Sequence, residues 1–278
     1  MLIGCHISTK GSLVKMIKSA IKLEINTFQY FTRSPRGGSS RKYLNDEISE
    51  YKEILKESDI KSVVAHLPYT VNLASSTKRT RNFGNQILYE DLRRSDLINT
   101  NFLVMHPGSH VKNTVEDGID FIADGLNYAL SNYKGDTKIC LETMSGKGTE
   151  IGRSLDEIVT ILDKTNWHEK IGICLDSCHL FATGYDFRDK QEVRRLVKEI
   201  DQKIGLDRVH VTHINDSKES LASNKDRHAN IGKGLLGIEG IKNYLSNSYI
   251  SNLPILLETP VKNEADYLEE IKIIKGLI

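Results

Sequence analysis

The sequence predicts an α/β fold, a single (β/α)8 TIM barrel with a metal site at the C-terminal face of its strands, and three observations carry that prediction. Short β-branched runs alternate with amphipathic stretches from end to end, there are eight such units, and six of the runs close on a residue able to bind a metal. Alternation of this kind marks βα units and a parallel sheet, and eight units suit a closed barrel. A doubly wound open sheet is the weaker competitor.

The runs are, in order, LIGCHIS from Leu2, TFQYFT from Thr27, SVVAHLP from Ser62, NFLVMHPG from Asn101, KICLETM from Lys138, IGICLDS from Ile171, RVHVTHIND from Arg208 and PILLETP from Pro254. Each has the length and β-branched content of a strand buried on both faces. Between them LVKMIKSAIKLE, EDGIDFIADGLNYAL, SLDEIVTILDK and EADYLEEIKIIKG repeat apolar residues at helical spacing. Two connections are too long for simple turns: TRSPRGGSSRK after the second run and SKESLASNKDRHANIGKGLLG after the seventh. Loops of that length in a compact domain are commonly functional. No Pro/Gly/Ser linker divides the 278 residues, and barrels of roughly 250 residues are commonly one domain, so residues 1–278 are expected to form one.

Charges nearly cancel, with Lys+Arg 38 against Asp+Glu 37, so any nucleic-acid partner must be drawn by local basic loops and bound cations rather than by net charge. The opening MLIGCHIS is too short an apolar run for a signal peptide, and no segment approaches the ~20 apolar residues of a membrane span. A soluble, cytoplasmic protein without a membrane partner is expected. Cys5, Cys140, Cys174 and Cys178 lie in or beside apolar runs without paired CxxC spacing and read as reduced core residues.

His66 ends VVAH, His106 ends LVMH, Glu142 ends CLE, Asp176 ends CLD, His213 ends VTH and Glu258 ends LLE. In a barrel the strand C-termini converge on one mouth. Residues two apart on a strand share a face, and the residues two before these six, Val64, Val104, Cys140, Cys174, Val211 and Leu256, are all apolar. Each strand thus reads as an interior packing residue below a mouth ligand. One such His or Glu is ordinarily a satisfied polar residue; six in the same position are not. His179, three beyond Asp176, and the Asp226-x-His228 pair in the seventh loop extend the cluster to five histidines and four carboxylates. Nitrogen and oxygen ligands suit zinc or manganese, and nine exceed the needs of one tetrahedral ion, so two or three ions are implied. Three divalent ions outweigh four carboxylates and a hydroxide, which leaves a mouth suited to an anionic phosphodiester.

With these residues in place the chain resembles the endonuclease IV family of AP endonucleases. LETMSGKG (Leu141 to Gly148), CLDSCHLFATGYD (Cys174 to Asp186), HINDSKESLASNKDRHANIGKG (His213 to Gly234) and the HLPYTVNLA and HPGSH strand ends carry the match. The resemblance implies three Zn2+ ions, with Mn2+ substitution allowed: one on His66, His106 and Glu142, a second on Glu142 as bridge with Asp176, His213 and Glu258, a third on His179, Asp226 and His228. It further implies a monomer acting on double-stranded DNA in base excision repair. The family cuts 5′ to an abasic site, leaving a 3′-hydroxyl and a 5′-deoxyribose phosphate, and trims blocked 3′ ends. A hydroxide shared by two zincs would be the nucleophile, since zinc lowers the pKa of bound water to about 7, and Glu142 would be the central catalytic ligand.

Arg33, Arg36, Arg41, Lys42, Lys78, Arg79 and Arg81 in the second and third loops are candidates for phosphate pairing. The resemblance places Arg36 and Tyr69 against DNA at the lesion. Where well-known members follow the loop arginine with glutamine, this chain has Gly37 and Gly38. Among the other histidines, His210 is expected to face the helices, His168 the surface, and His6 and His110 to support the mouth. A sugar isomerase on a related barrel is the rival reading, but it would need neither the third ligand set nor the basic loops; a DNA-binding module without catalysis would show gaps among the ligands. Without metal the crowded carboxylates repel, so chelation is expected to lower the melting temperature, and identical melting with and without chelator would contradict the cluster.

Overall fold

The computed structural model describes residues 1–278. Its strands follow the eight runs: β1 (Leu2–Cys5), β2 (Thr27–Phe31), β3 (Ser62–His66), β4 (Phe102–Met105), β5 (Lys138–Glu142), β6 (Ile171–Asp176), β7 (Val209–His213) and β8 (Pro254–Leu257). They pair in parallel in the order β1-β8-β7-β6-β5-β4-β3-β2. A parallel bridge between His6 and Gln29 joins the two ends, where Ile7 N–H donates to the Gln29 carbonyl at 2.7 Å. The eight strands therefore form the expected (β/α)8 TIM barrel, with no strand edge left for other chains to pair with.

Helices α1 (Leu13–Lys22), α2 (Asn45–Glu57), α3 (Lys78–Asp96), α4 (Val115–Leu130), α5 (Leu155–Lys164), α6 (Ser177–Thr183), α7 (Lys190–Lys203), α8 (Gly237–Leu245), α9 (Ser248–Ser251) and α10 (Tyr267–Lys275) connect the strands. Their starts are written locally. Ser12 and Ser154 accept the Lys15 and Glu157 N–H groups at the heads of α1 and α5, and Thr114 with Asp117 forms a reciprocal capping box on α4. Such caps stabilise a helix by about 1 kcal/mol each. None of the helices is long and apolar enough to cross a membrane.

Two apolar layers hold the barrel. A cluster of 61 buried residues fills the space between strands and helices. Val64, Val104, Cys140, Cys174, Val211 and Leu256 form a separate cluster, all fully buried, and these are the six residues that alternation places beneath the mouth ligands. Alternation fails once. Ile173 pairs with Val209 and Cys174 with Val211, so His210 is an extra residue in a bulge. A bulge re-aims side chains. His210 is half-buried and stacks on Phe102, ring centroids 5.0 Å apart, and Phe102 packs beneath the inner cluster. It therefore lies at the end of the barrel remote from the mouth rather than against the helices as alternation alone suggested. Burial lowers its pKa to about 4. His168, expected at the surface, is half-buried, with its Nδ1 accepting the Lys170 N–H.

Leu256→Ala would open a cavity directly under the mouth. It is expected to lower stability by about 2–5 kcal/mol, read as a fall in the urea midpoint; a shift below about 1 kcal/mol would mean that the inner layer does not support the barrel.

Candidate metal centre

Strand ends and two short pieces of backbone deliver all nine candidate ligands to one mouth. His66, Glu142, Asp176 and His213 are the last residues of β3, β5, β6 and β7, while His106 and Glu258 stand one residue beyond β4 and β8. Asp176 also caps α6 by accepting the His179 N–H at 2.8 Å. The chain therefore turns into a helix at the mouth, and His179 is returned over it. Asp226 and His228 come from the long seventh loop, which folds back as a short antiparallel ladder pairing Asp216 with Ala229 and Ser217 with His228. The buried Asp216 carboxylate secures that loop by accepting the N–H groups of Gly234, Leu236 and Gly237 at 2.9, 3.1 and 3.0 Å.

The ligand atoms fall into three groups, each within 4.8 Å of one another: His66, His106 and Glu142; Glu142, Asp176, His213 and Glu258; His179, Asp226 and His228. Glu142, fully buried, joins the first two. Its Oε2 lies 3.2 Å from His66 Nε2 and 3.3 Å from His106 Nε2, and its Oε1 lies 3.1 Å from His213 Nδ1. Asp176, Cys178 and His228 satisfy the same distance limit. Burial pushes the Cys178 thiol up to about 12 in the metal-free protein.

The donors fit cations. His179 Nε2 and His228 Nε2 are buried without a hydrogen-bond partner, and they stand 3.4 and 3.3 Å from Asp226 Oδ1. Two orphaned imidazole nitrogens facing one carboxylate oxygen make a pocket that a divalent ion would complete. On His66 and His179 the other ring nitrogen is held by the protein, as is usual for histidines that ligate metals. His66 Nδ1 faces the Leu67 carbonyl at 2.6 Å and His179 Nδ1 the Thr143 carbonyl at 2.9 Å. Since a carbonyl only accepts, each Nδ1 carries a proton, and in the neutral ring each Nε2 is then the lone-pair atom.

The electrostatics of these side chains follow from the crowding. Burial pulls His106 down, but the Glu142 carboxylate outweighs it and raises its pKa. Burial is likewise overcome at His179 by Asp176, Asp226 and Glu142, and at His213 by Cys174, Glu258 and Glu142, and both stand well above the ordinary value. In return, burial would raise Glu142, but His213 and His106 hold it well below the usual carboxylate range. His6 goes the other way, lowered to about 4 by burial.

Three residues that order this mouth are not singled out by the sequence reading. Asn215 Nδ2 donates to Asp176 Oδ2 at 2.7 Å while its Oδ1 accepts the Glu258 N–H at 3.0 Å. Asp216 anchors the seventh loop. Gln29 Oε1 faces His213 Nε2 at 2.9 Å and its Nε2 donates to Glu258 Oε1 at 2.5 Å. The available signal is a polar residue at an inward position of an apolar run, Gln29 in TFQYFT and Asn215-Asp216 directly after VTHI. His110 stays outside the nine and is half-buried near Asn113.

The basic loops divide. Arg33 is buried and forms a bidentate pair with Asp91 at 2.8 and 2.6 Å, so it braces the second loop and does not reach phosphates. Arg41 is committed to Glu47 at 2.6 and 2.7 Å, and Arg81 lies 3.8 Å over the Phe121 ring while donating to the Ser75 carbonyl. Arg36, Lys42, Lys78 and Arg79 are exposed. Tyr69 is 50% exposed, yet its ring packs on His106 and His66 at 5.2 and 5.4 Å, so it stands on the rim of the mouth. Arg36 sits in a turn closed by Gly37 N–H to the Ser34 carbonyl at 2.8 Å. Gly37 has φ +84° and a Cβ there would meet Thr70 Oγ1 at 2.7 Å. A larger residue here would be strained by the backbone conformation and would require the Thr70 hydroxyl to move.

Fold and mouth together define a TIM barrel whose strand ends carry donor groups compatible with metal binding, and a model of the xylose isomerase-like TIM barrel family matches residues 17–277. A probable endonuclease 4 from Clostridium beijerinckii is 43% identical over 276 residues, which cover 99% of this chain and 98% of the relative. One from Methanosphaera stadtmanae is 41% identical over 275 residues, 99% and 98% of the two chains. The crystal structure of endonuclease IV from Thermus thermophilus superposes with a TM-score of 0.87 at 26% identity, covering 100% of this chain and 98% of that one. This chain belongs to the endonuclease IV family, as its resemblance in sequence implied. A D-tagatose 3-epimerase-like protein, with a TM-score of 0.71 at 18% identity over 100% of this chain and 98% of that one, shares the fold alone.

The pKa directions set a pH dependence. Groups raised by folding, His179 and His213, stabilise the chelated protein below their ordinary value of 6.5 and lose that contribution as pH rises through their raised values. Glu142, lowered, contributes above 4.5 and loses it as pH falls. Cation binding needs neutral imidazoles and so gains as pH rises. The difference in melting temperature between metal-loaded and chelated protein is expected to widen from about pH 5.5 to about pH 8; a gap that narrows over this range would contradict the assignment.

Proposed function

We propose that this chain is a zinc-dependent AP endonuclease that hydrolyses the phosphodiester 5′ to an abasic site in duplex DNA, leaving a 3′-hydroxyl and a 5′-deoxyribose phosphate, and that it also trims blocked 3′ ends. Residues 1–278 act as one domain in this reading. The observation that carries it is the convergence of nine nitrogen and oxygen donors into three groups at one barrel mouth, in a chain of the endonuclease IV family.

His66, His106 and Glu142 would hold one ion; Glu142, Asp176, His213 and Glu258 a second; His179, Asp226 and His228 a third. When bound, the ions supply Lewis acidity toward a phosphoryl group and ionise water near neutral pH. The chain's residues do the positioning. Glu142 ties the first two groups together through its two oxygens. The protons held on His66 Nδ1 and His179 Nδ1 fix those rings with Nε2 inward. Arg36, Lys78 and Arg79 meet phosphates beside the mouth, and Tyr69, based on His66 and His106, occupies the rim where a base is missing. Unstacking costs only a few kcal/mol and least at a damaged position, so the lesion itself contributes to selectivity.

A duplex carrying one abasic-site analogue tests this. A single nick 5′ to the lesion and about three zincs per chain are expected, and Glu142→Gln should lower both cleavage, by about 100-fold or more, and metal content. Full cleavage with unchanged metal in Glu142→Gln would remove the bridge, and an uncut duplex with turnover of a free sugar would replace the nuclease with an isomerase.

A further inference from the structure

Gln29 is the only polar residue whose side chain rises from β2 into the group formed by Glu142, Asp176, His213 and Glu258, and it is fully buried beside two of those residues. Its backbone belongs to the barrel seam, where the His6 bridge and the Ile7 hydrogen bond fix it. The side chain is therefore delivered from the rigid part of the molecule rather than from a loop.

The hydrogen bonds of the carboxamide have one consistent arrangement. Glu258 Oε1 lies 2.5 Å from one end, and an ionised carboxylate only accepts, so that end is the NH2 group. The oxygen then faces His213 Nε2 at 2.9 Å. An amide oxygen also only accepts, so His213 Nε2 must carry a proton. The lone pair of the neutral ring is then on Nδ1, the atom that stands 3.1 Å from Glu142 Oε1 and 3.3 Å from Glu258 Oε2. The second amide hydrogen points toward His6 Nδ1 at 3.4 Å. His66 and His179 present Nε2 inward and are held by backbone carbonyls. His213 presents Nδ1 inward, and the group opposite its Nε2 is the Gln29 side chain.

We propose that Gln29 is a positioning residue for the cation of the Glu142, Asp176, His213 and Glu258 group: it selects the Nε2–H tautomer of His213 and fixes the Glu258 carboxylate at the same time. The inference rests on the metal reading given above. Two ligands from two different strands are locked to a third by one planar amide, so they keep their orientation before the ion arrives. Outer partners of this kind typically change metal affinity by about 10–100-fold when removed.

The test compares wild type with Gln29→Met, which keeps length and volume but cannot donate and accepts only weakly; Gln29→Leu serves if the methionine variant does not accumulate folded. Zinc is loaded, stoichiometry is measured by mass, release is followed in a chelator competition, and melting is recorded with and without chelator. The expected result is three ions in wild type and, in the variant, one of the three released at least about 10-fold more readily while the other two are unchanged. The gap in melting temperature between loaded and chelated forms should shrink. Two results overturn the proposal: three ions held as in wild type, or all ions loosened together with an equal fall in the melting of loaded and chelated forms, which is a general packing defect. A wild type that binds no zinc overturns the metal reading itself, and this proposal with it.

Discussion

A fully buried carboxylate, Glu142, stands within 3.4 Å of four histidines, His66, His106, His179 and His213, and the rest of the mouth is arranged around it. Removing such a group from water costs several kcal/mol unless positive charge or hydrogen-bond donors surround it. Here the compensation comes from the ends of three other strands and the helix that follows a fourth, so it exists only when the barrel is closed. The same crowding that lowers Glu142 raises His179 and His213. The mouth is thus a site of opposed charges whose balance a divalent cation would replace.

Support for these residues comes from two directions. Below them lies the fully buried six-residue apolar layer, one residue from each of the six strands that lead to the strand-end donors. Around them polar side chains fix orientation: Asn215 spans Asp176 and Glu258, Gln29 spans His213 and Glu258, and Asp216 gathers three backbone N–H groups of the loop that carries Asp226 and His228. A buried carboxylate that accepts several backbone donors orders a long loop, because the donors would otherwise be left unsatisfied. The length of the seventh connection is explained in this way: it is a folded arm that brings Asp226 and His228 over the barrel.

The outer rim is built on different terms. Three of its seven basic residues are spent on internal partners, Arg33 on Asp91, Arg41 on Glu47 and Arg81 on Phe121. Arg36 and Tyr69 remain at the surface, the first on a tight turn and the second on a ring stack with two of the mouth histidines. Gly37 lets the second loop close against Thr70, which brings the two loops together without a side chain between them.

Strand positions, the six mouth residues and the inner layer beneath them were legible in the sequence because a strand has a period of two and a barrel sends every strand end to the same face. His179, Asp226 and His228 were legible from residue type and family resemblance, although only the folded loops place them together. What local pattern could not determine were features that depend on partners distant in sequence. His210 left the expected face because β7 carries an extra residue relative to β6, and a bulge is a property of a pair of strands. Arg33 looked available because its partner Asp91 lies 58 residues away on α3. Gln29 read as one more residue of an apolar run until closure of the barrel set it between His213 and Glu258. The sequence by itself determined the fold and the chemical types gathered at the mouth, through periodicity; tertiary structure alone decided which nitrogen of each histidine faces inward and which charges are already paired, because both depend on hydrogen bonds between strands that meet only when the ring closes.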